Sequence, residues 1–329
     1  MPANLTPDYH AAEARYRIAV TVEEKLDALR EMLRVIPKHK GTDRLQGDIK
    51  RKISQLKKES IKKSATSRKT AFFLVDKEGE GQIFIVGAPN TGKSQLLMSL
   101  TNAKSDVAPY PYTTQKPIPG MMQFENIQFQ LIDTPPIDRE FMESWLPGII
   151  RNGNLVLLLA DLSSPDALEQ IDVVMDKLQK SKIHFVKETK AEYQSDGLMH
   201  MPLIIVGSKL DANGAAENAG IISELYGQKF ETVCVSALDG SGLQDLKQRI
   251  YNNLHIIRVY TKSPGKQPDF NDPVVLNLGE TVLDFARQIH KDFAFNLKHA
   301  KIWGTGMYDG QKVQRDFVLR EGDVLELHT

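Results

Sequence analysis

The sequence of 329 residues predicts an α/β protein whose doubly wound sheet is preceded by a helical amino-terminal region and followed by a small α+β module. Three observations predict this fold class. Residues 7 to about 66 follow a helical period, residues 70 to about 255 alternate short β-rich runs with helical patterns, and from Ile256 onward short strands surround one capped helix. We therefore expect three domains, over residues 1–69, 70–255 and 256–329.

The composition is that of an ordinary globular protein. Apolar residues make up 41% and charged residues 26% of the chain, so wholesale disorder is not expected. The start of the chain lacks a basic segment followed by an apolar one, and the apolar runs are far shorter than the ~20 residues that span a bilayer. We expect a cytoplasmic protein without a membrane segment. The single cysteine, Cys234, lies in a strand-like run, which favours a buried structural thiol.

The amino-terminal region is expected to contain three helices. Residues 9–18 form an amphipathic stretch, and Thr21 with Glu24 has the pattern of a capping box before a second helix. Pro37 ends that helix, and a third helix begins near Thr42.

Basic residues are concentrated in this region although the whole chain is neutral, with 42 basic and 42 acidic residues. Residues 38–69 contain twelve basic and three acidic residues, a net charge of +9. Two interpretations remain open. The segment is either a solvated helix face or an arm that binds a phosphate backbone, with an affinity that falls steeply with salt.

The middle region is expected to supply the sheet and the last region a smaller one. The strand candidates of the middle region are residues 72–76, 82–86, 127–132, 155–161, 203–206 and 232–235. Helices are expected after Gly92, after Pro165, around residues 215–226 and after Gly242. The last region is expected to contain four strands and one helix that begins in T-V-L-D.

The strongest functional signal is G-A-P-N-T-G-K-S at residues 87–94, directly after the apolar strand Q-I-F-I-V and before the helix Q-L-L-M-S-L. Glycines let such a loop wrap a phosphate, so that backbone N–H groups and the positive end of the helix face the anion. Lys93 would reach the β- and γ-phosphates, and the Ser94 hydroxyl would bind magnesium. The motif predicts a P-loop nucleotide-binding protein.

Two further segments add candidate magnesium ligands. Asp133 ends the strand-like run L-I-D, where the second magnesium-side acid of a P-loop enzyme belongs, although alone it has the pattern of a surface turn. Between it and the phosphate loop lies Y-P-Y-T-T-Q-K-P, whose hydroxyls offer another ligand. We prefer Thr114 for this role, with Thr113 as the alternative, and expect it to order the loop around a γ-phosphate.

The purine would be selected by two late motifs. In S-K-L-D, Asp211 can accept both the ring N–H and the exocyclic amine of guanine, a pair of donors that adenine lacks. Lys209 would lie against the base or the phosphate loop, and Ser208 would offer a weaker polar contact. In V-S-A-L, Ser236 and Ala237 can supply a backbone N–H to the guanine oxygen. Each motif is weak alone, but their order predicts GTP rather than ATP.

Taken in order, these motifs resemble the five guanine-nucleotide motifs of the Obg-related GTPases. The segments I-R-V-Y-T-K-S-P-G-K and A-K-I-W-G resemble the TGS domain, a β-grasp module, and I-P-K-H-K-G-T-D-R-L-Q resembles the amino-terminal part of the developmentally regulated GTP-binding proteins. The resemblance covers nearly the whole chain and is nearest to prokaryotic members of that group. It implies a G domain followed by a TGS domain.

The site expected from these motifs and from the resemblance is extensive. The nucleotide-binding residues are Gly87, Asn90, Thr91, Gly92, Lys93, Ser94, Gln95, Ser208, Lys209, Asp211, Ser236, Ala237 and Leu238; the magnesium ligands are Ser94, Thr114 and Asp133; the catalytic residues are Lys93, Asn90 and Thr114. The resemblance also implies that Asn90 helps to hold a potassium ion beside the β- and γ-phosphates. The alternative is that Asn90 only stabilises a turn.

Two positions, Pro136 and Ser208, depart from the pattern of the family, whereas at a third, Ile137, the resemblance implies a class with a hydrophobic residue. Pro136 stands where a glycine N–H usually contacts the γ-phosphate, and proline has no N–H. Ser208 replaces the usual asparagine, and Ile137 stands where Ras-like enzymes carry a water-orienting glutamine. We therefore expect a slow regulatory GTPase that contacts the ribosome or RNA through the basic amino-terminal region and, as the resemblance implies, the TGS domain, with a regulatory protein partner as a further expectation. The alternatives are a GTP-binding module with little hydrolysis and an RNA- or ribosome-binding scaffold in which the nucleotide is structural.

Overall fold

The structure is a computed structural model, and it describes residues 6–19, 22–37, 42–101, 116–188 and 199–329. The chain divides into two compact units, Met1–Phe72 and Phe73–Thr329. No helix among the described residues is long and apolar enough to cross a membrane.

The first unit is built from helices, as expected. They are α1 (Pro7–Ile18), α2 (Val22–Val35) and α3 (Asp43–Phe73). The Thr6 side chain caps α1 by accepting a hydrogen bond from the Tyr9 N–H at 3.3 Å. Tyr9, Leu29 and Ile49, one from each helix, are buried in a small core. The expected capping box at Thr21 lies outside the described residues.

The strand expected at residues 72–76 is absent, and this prediction is wrong. The helix α3 continues to Phe73, whose ring stacks on Trp145 with 4.2 Å between the ring centroids. Beyond it, the carbonyls of Val75 and Asp76 accept hydrogen bonds from the side-chain amides of Gln82 and Gln130, at 3.1 and 3.0 Å. Because side chains take these carbonyls, the β-rich composition of the segment does not produce strand pairing.

The second unit begins with a seven-stranded sheet in the order β2-β3-β1-β4-β6-β5, in which β7 also pairs with β6. The strands are β1 (Gln82–Gly87), β2 (Ile118–Phe124), β3 (Ile127–Asp133), β4 (Leu155–Asp161), β5 (Ile183–Val186), β6 (Met199–Ser208) and β7 (Glu231–Cys234). The helices are α4 (Lys93–Leu100), α5 (Leu146–Ile150), α6 (Ala167–Lys180), α7 (Ala215–Tyr226) and α8 (Leu243–Asn253). Strands β2 and β5 and helix α5 were not expected from the sequence.

The arrangement is a doubly wound sheet, which confirms the expected fold class. All pairings are parallel except that of β2 with β3. Successive residues of β1 enter different cores, since Ile83 and Ile85 pack on one face and Phe84 and Val86 on the other. Burial on both faces explains why the central strands are continuously apolar. The carboxyl ends of the parallel strands meet at one edge, where such folds bind ligands.

A second sheet of five strands follows, in the order β11-β10-β12-β8-β9. Its elements are β8 (Ile256–Thr261), β9 (Asp269–Asn277), α9 (Val282–Ile289), α10 (Lys291–Asn296), β10 (His299–Trp303), β11 (Gln311–Val313) and β12 (Val324–His328). The expected helix is present and begins with a capping box between Thr281 and Asp284. The expected count of four strands and one helix is too low, because the three-residue β11 and the short α10 carry little periodic signal.

Candidate nucleotide-binding site

The phosphate loop joins the end of β1 to the start of α4, and its backbone is held in shapes that favour its residues. Gly87 passes so close to β4 that a Cβ atom there would lie 2.7 Å from the Leu159 carbonyl oxygen. Asn90 has φ 62° and Gly92 has φ 85°. Asparagine and glycine tolerate this left-handed region better than other residues. The loop therefore curls directly in front of the amino terminus of α4.

The Lys93 side chain is held inside this loop. Its Nζ donates hydrogen bonds to the carbonyl oxygens of Gly87 and Ala88, at 3.2 and 2.8 Å. The residue is only 8% exposed, and burial lowers the pKa of its ammonium to about 8, although the nearby Asp133 carboxylate opposes the change. The loop therefore holds a buried ammonium against its own carbonyl groups.

Asp133 and Ser94 meet beside the phosphate loop, as expected for a magnesium site. The Ser94 hydroxyl donates to Asp133 Oδ2 at 2.5 Å. Within the described residues, the other oxygen, Oδ1, is buried and has no hydrogen-bond partner. Burial raises the pKa of the Asp133 carboxyl, against the opposing effects of the Ser94 hydrogen bond and the Lys93 charge. An unpartnered carboxylate oxygen next to a hydroxyl fits Mg²⁺, which prefers hard oxygen ligands.

The segment after Asp133 is fixed to the phosphate loop through its backbone. The Ile137 N–H donates to the Gly87 carbonyl at 3.1 Å, and the Thr134 hydroxyl donates to the Ile85 carbonyl at 2.7 Å. The Ile137 side chain is fully buried in the hydrophobic core. It therefore points into the protein and cannot orient a water molecule. Pro136 is half-buried and offers no N–H.

Ser208 supports the phosphate loop from the end of β6. It is 6% exposed, and its hydroxyl lies 2.7 Å from the Thr91 carbonyl oxygen and 3.0 Å from that of Ala160. Its single hydrogen thus serves either the loop or the neighbouring strand β4. The Ser208 hydroxyl thus contacts the backbone of the phosphate loop or of β4, whereas the sequence suggested a weaker polar contact in place of the usual asparagine.

Lys209 has a partner that sequence reasoning missed. Its Nζ lies 2.5 Å from Oδ2 of Asp161, the last residue of β4. The other oxygen of this carboxylate, Oδ1, accepts a 2.6 Å hydrogen bond from the Ser163 hydroxyl. Burial alone would raise the pKa of Asp161, but the hydrogen bonds from Lys209 and Ser163 lower it. The sequence pattern that could have identified Asp161 is an acid at the end of an apolar strand, the same pattern that identified Asp133.

Asp211 and Ser236 are brought together although 25 residues separate them in sequence, since the Ser236 hydroxyl donates to Asp211 Oδ1 at 2.6 Å. The same hydroxyl accepts from the N–H groups of Leu238 and Asp239, both at 3.2 Å. Among the described residues, the Ala237 N–H forms no hydrogen bond, and Ala237 directly follows Ser236 in the chain. Leu238 is 82% exposed at the same turn.

The remaining expected residues are placed as follows. Gln95 is exposed on the first turn of α4, and Asn90 is exposed at the bend of the loop. Thr91 is buried and donates to the Ala88 carbonyl at 3.0 Å. Thr113 and Thr114 lie outside the described residues. Cys234, expected to be buried, is partly buried at the end of β7, where burial raises the pKa of its thiol.

The fold and this arrangement define a P-loop protein of the G-domain class. Comparison with known families agrees: residues 82–191 match the family described as 50S ribosome-binding GTPase, and residues 257–329 match the TGS domain. The chain thus joins a GTP-binding G domain to a carboxy-terminal TGS domain.

Individual relatives extend this similarity over the chain. Developmentally regulated GTP-binding protein 1 of Xenopus laevis is 29% identical, with 88% of this chain and 94% of the relative covered. Ribosome-interacting GTPase 1 of Saccharomyces cerevisiae is 25% identical, with 93% and 99% covered. A GTP-binding protein from Pyrococcus horikoshii has a similar fold, with a TM-score of 0.51, 16% identity and coverage of 75% of this chain and 99% of that one. The expected resemblance to the developmentally regulated GTP-binding proteins is confirmed.

Proposed function

We propose that the chain hydrolyses GTP to GDP and phosphate as a slow, magnesium-dependent regulatory switch that potassium stimulates, in the cytoplasm and in contact with the ribosome or RNA. The observation that carries the proposal is the group formed by Lys93, Ser94 and Asp133. It combines a buried ammonium, a hydroxyl and an unpartnered carboxylate oxygen beside a loop of phosphate-binding shape. This is the set of charges that a magnesium-bound triphosphate requires.

The proposed contacts divide between phosphates and base. The backbone of the loop residues Gly87, Asn90, Thr91, Gly92, Lys93, Ser94 and Gln95 faces the phosphates. At the other end, Asp211 accepts from the guanine ring and amine, and the Ala237 N–H donates to the guanine oxygen. Lys209, held by Asp161, and the exposed Leu238 flank the base with their apolar surfaces. Ser208 and Ser236 hold the loop and the Asp211 carboxylate in place.

Hydrolysis of GTP demands positioning and charge stabilisation more than covalent chemistry from the protein. Lys93 would transfer its hydrogen bonds from the loop carbonyls to the β- and γ-phosphate oxygens and offset their charge. Ser94 and Asp133 would hold Mg²⁺, which neutralises charge on the phosphates when bound. Thr114 is proposed to complete the metal shell and to order its own loop around the γ-phosphate.

Two features favour slow hydrolysis. Pro136 has no N–H to offer the γ-phosphate, and the Ile137 side chain lies in the core, so neither residue supports the attacking water. We propose that a potassium ion held by the exposed Asn90 replaces part of this support by offsetting charge on the phosphates. These same features favour the alternative function, a GTP-binding module with little hydrolysis that acts as an RNA- or ribosome-binding scaffold.

Single-turnover cleavage of GTP in potassium and in sodium buffer separates the two functions. We expect faster cleavage in potassium, and loss of that difference in Asn90→Gly, which removes the proposed ion ligand while glycine tolerates the φ of 62° at this position. Nucleotide affinity, measured in parallel, should stay close to that of the wild type. Equal and negligible rates in both salts would leave only the scaffold function.

RNA or ribosome contact is supported by the basic helix α3 and by the name of the yeast relative. Lys50, Arg51 and Lys52 are exposed on α3, and the ion pair of Arg51 with Asp48 is solvent-exposed at 3.6 Å, so it neutralises little charge. Replacing the three basic residues with alanine should reduce the salt dependence of RNA binding. An unchanged salt slope would support a merely solvated helix face.

A further inference from the structure

One face of the TGS sheet carries charged and aromatic side chains. Ala300 and Ile302 of β10 pack with α9 in the domain core. Since successive side chains of a strand point to opposite faces, the intervening residues lie on the other face. Its members are His299, Lys301 and Trp303 of β10, Lys312 of β11, Glu326 and His328 of β12, and Lys262 directly after β8. We call this set the basic sheet face.

Positive charge accumulates on the basic sheet face without sufficient acidic partners. Lys301 lies directly opposite Lys312 in the pairing of β10 with β11, an arrangement that disfavours the sheet. Glu326 is 4% exposed and serves three partners, with Lys262 Nζ at 2.5 Å, His328 Nε2 at 2.8 Å and Lys301 Nζ at 3.6 Å.

The excess of charge is local to this face. Residues 256–329 contain ten basic and ten acidic residues, so the TGS region as a whole is neutral. The pKa of His299 is nevertheless lowered, by burial and by the charges of Lys312, His328, Lys301 and Lys298. Lys301 and Lys312, on two adjacent strands, therefore repel each other near this ring, and a bound anion would relieve their repulsion.

Flat rings lie among these charges. The rings of His299 and His328 are parallel within 2°, with 4.7 Å between their centroids. Glu326 fixes the His328 ring through the contact at Nε2. Lys262 Nζ lies 4.5 Å from the centroid of the Trp303 ring, and Tyr308, in the connection from β10 to β11, is 85% exposed. The face thus offers oriented rings next to cations.

We propose that the basic sheet face binds single-stranded RNA, with Lys301 and Lys312 on the phosphates and a base stacked on the His299–His328 pair. Proteins bind single-stranded RNA with cations beside rings on which the bases stack. A duplex fits such a surface less well, because its bases are already stacked on one another. An acidic protein would use the lysines but not the ring pair. The inference rests on the proposed RNA association and gives it a second surface, distinct from helix α3.

Fluorescence anisotropy of the full chain with a labelled single-stranded RNA of about 12 nucleotides tests this surface. We expect Lys301→Ala with Lys312→Ala to weaken binding about tenfold at ~0.1 M salt and to lower the salt slope by about 1.4, the value for two phosphate contacts on a single strand. The matched control is Arg287→Ala with Lys291→Ala, which removes the same charge from α9 and α10. This control variant should change neither the RNA affinity nor the salt slope.

His299→Ala separates stacking from charge. It should weaken RNA binding about fivefold or more without changing the salt slope, and leave binding of inorganic polyphosphate unaltered. Equal loss of RNA and polyphosphate binding in this variant would mean that the face is a general anion site, contrary to the proposal. Removing Lys301 and Lys312 relieves like-charge repulsion, so we expect this double variant to melt no earlier than the wild type. Lys301→Gln with Lys312→Gln provides a second, more conservative pair.

Two parallel measurements keep this proposal separate from the function proposed above. GTP titration of each variant should match the wild type, since the phosphate loop is untouched. If the Lys50, Arg51 and Lys52 variant abolishes RNA binding while the sheet-face variants bind normally, RNA association stands and the basic sheet face is refuted. An unchanged salt slope in the Lys301 and Lys312 variant would overturn the proposal in the same way.

Discussion

Substitution of Asp211 by asparagine should change the nucleotide preference from GTP to XTP. The Ser236 hydroxyl accepts from two backbone N–H groups at 3.2 Å, so its own hydrogen is directed to Asp211 Oδ1, at 2.6 Å. In Asp211→Asn, this hydrogen selects the rotamer whose amide oxygen faces Ser236. The NH₂ group then faces the base, where it repels the guanine amine but donates to the additional xanthine carbonyl.

The expected magnitude follows from the bonds lost. A hydrogen bond to a charged group contributes about 1.5–3 kcal/mol, and Asp211 is proposed to make two with guanine. Losing both costs about 3–6 kcal/mol, which is a fall in GTP affinity of about 10²- to 10⁴-fold. XTP affinity should rise over that of the wild type because one donor–acceptor pair is restored.

Competition titration with fluorescent GTP and XTP measures both effects. Asp239→Asn is the matched control, because it removes another exposed carboxylate from the neighbouring turn, where it accepts from the Ser241 N–H at 2.8 Å. Adding Ser236→Ala to Asp211→Asn should reduce the XTP preference, since the amide is then free to flip. If Asp211→Asn binds GTP as tightly as the wild type, Asp211 does not select the base.

Three further predictions concern the magnesium site, the loop support and the contact between the domains of the second unit. Asp133→Asn should make nucleotide release equally fast with magnesium and with a chelator, whereas persistent slowing by magnesium would exclude Asp133 as its ligand. Ser208→Ala removes the buried hydroxyl that donates to one of two carbonyls, of Thr91 or of Ala160, so it should lower nucleotide affinity about five- to hundredfold. An unchanged titration would contradict the positioning role. Arg258 donates from Nε to Glu321 at 2.8 Å and also pairs with Glu125. Replacing Arg258 with alanine should therefore lower the free energy of unfolding, measured by urea titration, by about 1–3 kcal/mol. A value near zero would show that this contact is not stabilising.

The local chemistry of the site was predictable from the sequence because it depends on residues close together in the chain. Gly87 to Ser94 bring their own strand, loop and helix start, and burial on both faces made β1 and β4 recognisable as continuous apolar runs. The strands β2 and β5 were missed because they are edge strands whose half-buried, mixed sequences lack a clear period. The segment at residues 72–76 was mistaken for a strand because its composition is β-rich while its hydrogen bonds go to side chains.

The sequence by itself determined the kind of protein: a phosphate loop, an acid at a strand end and a guanine-type S-K-L-D motif, each a local pattern with its own chemical meaning. Only the tertiary structure decided how distant residues act on one another. It joined Ser94 to Asp133, Ser236 to Asp211 and Lys209 to Asp161, across 25 to 48 positions of the chain. The physical reason is that parallel strands deliver their carboxyl ends to one edge of the sheet, where residues far apart in sequence come within hydrogen-bond distance.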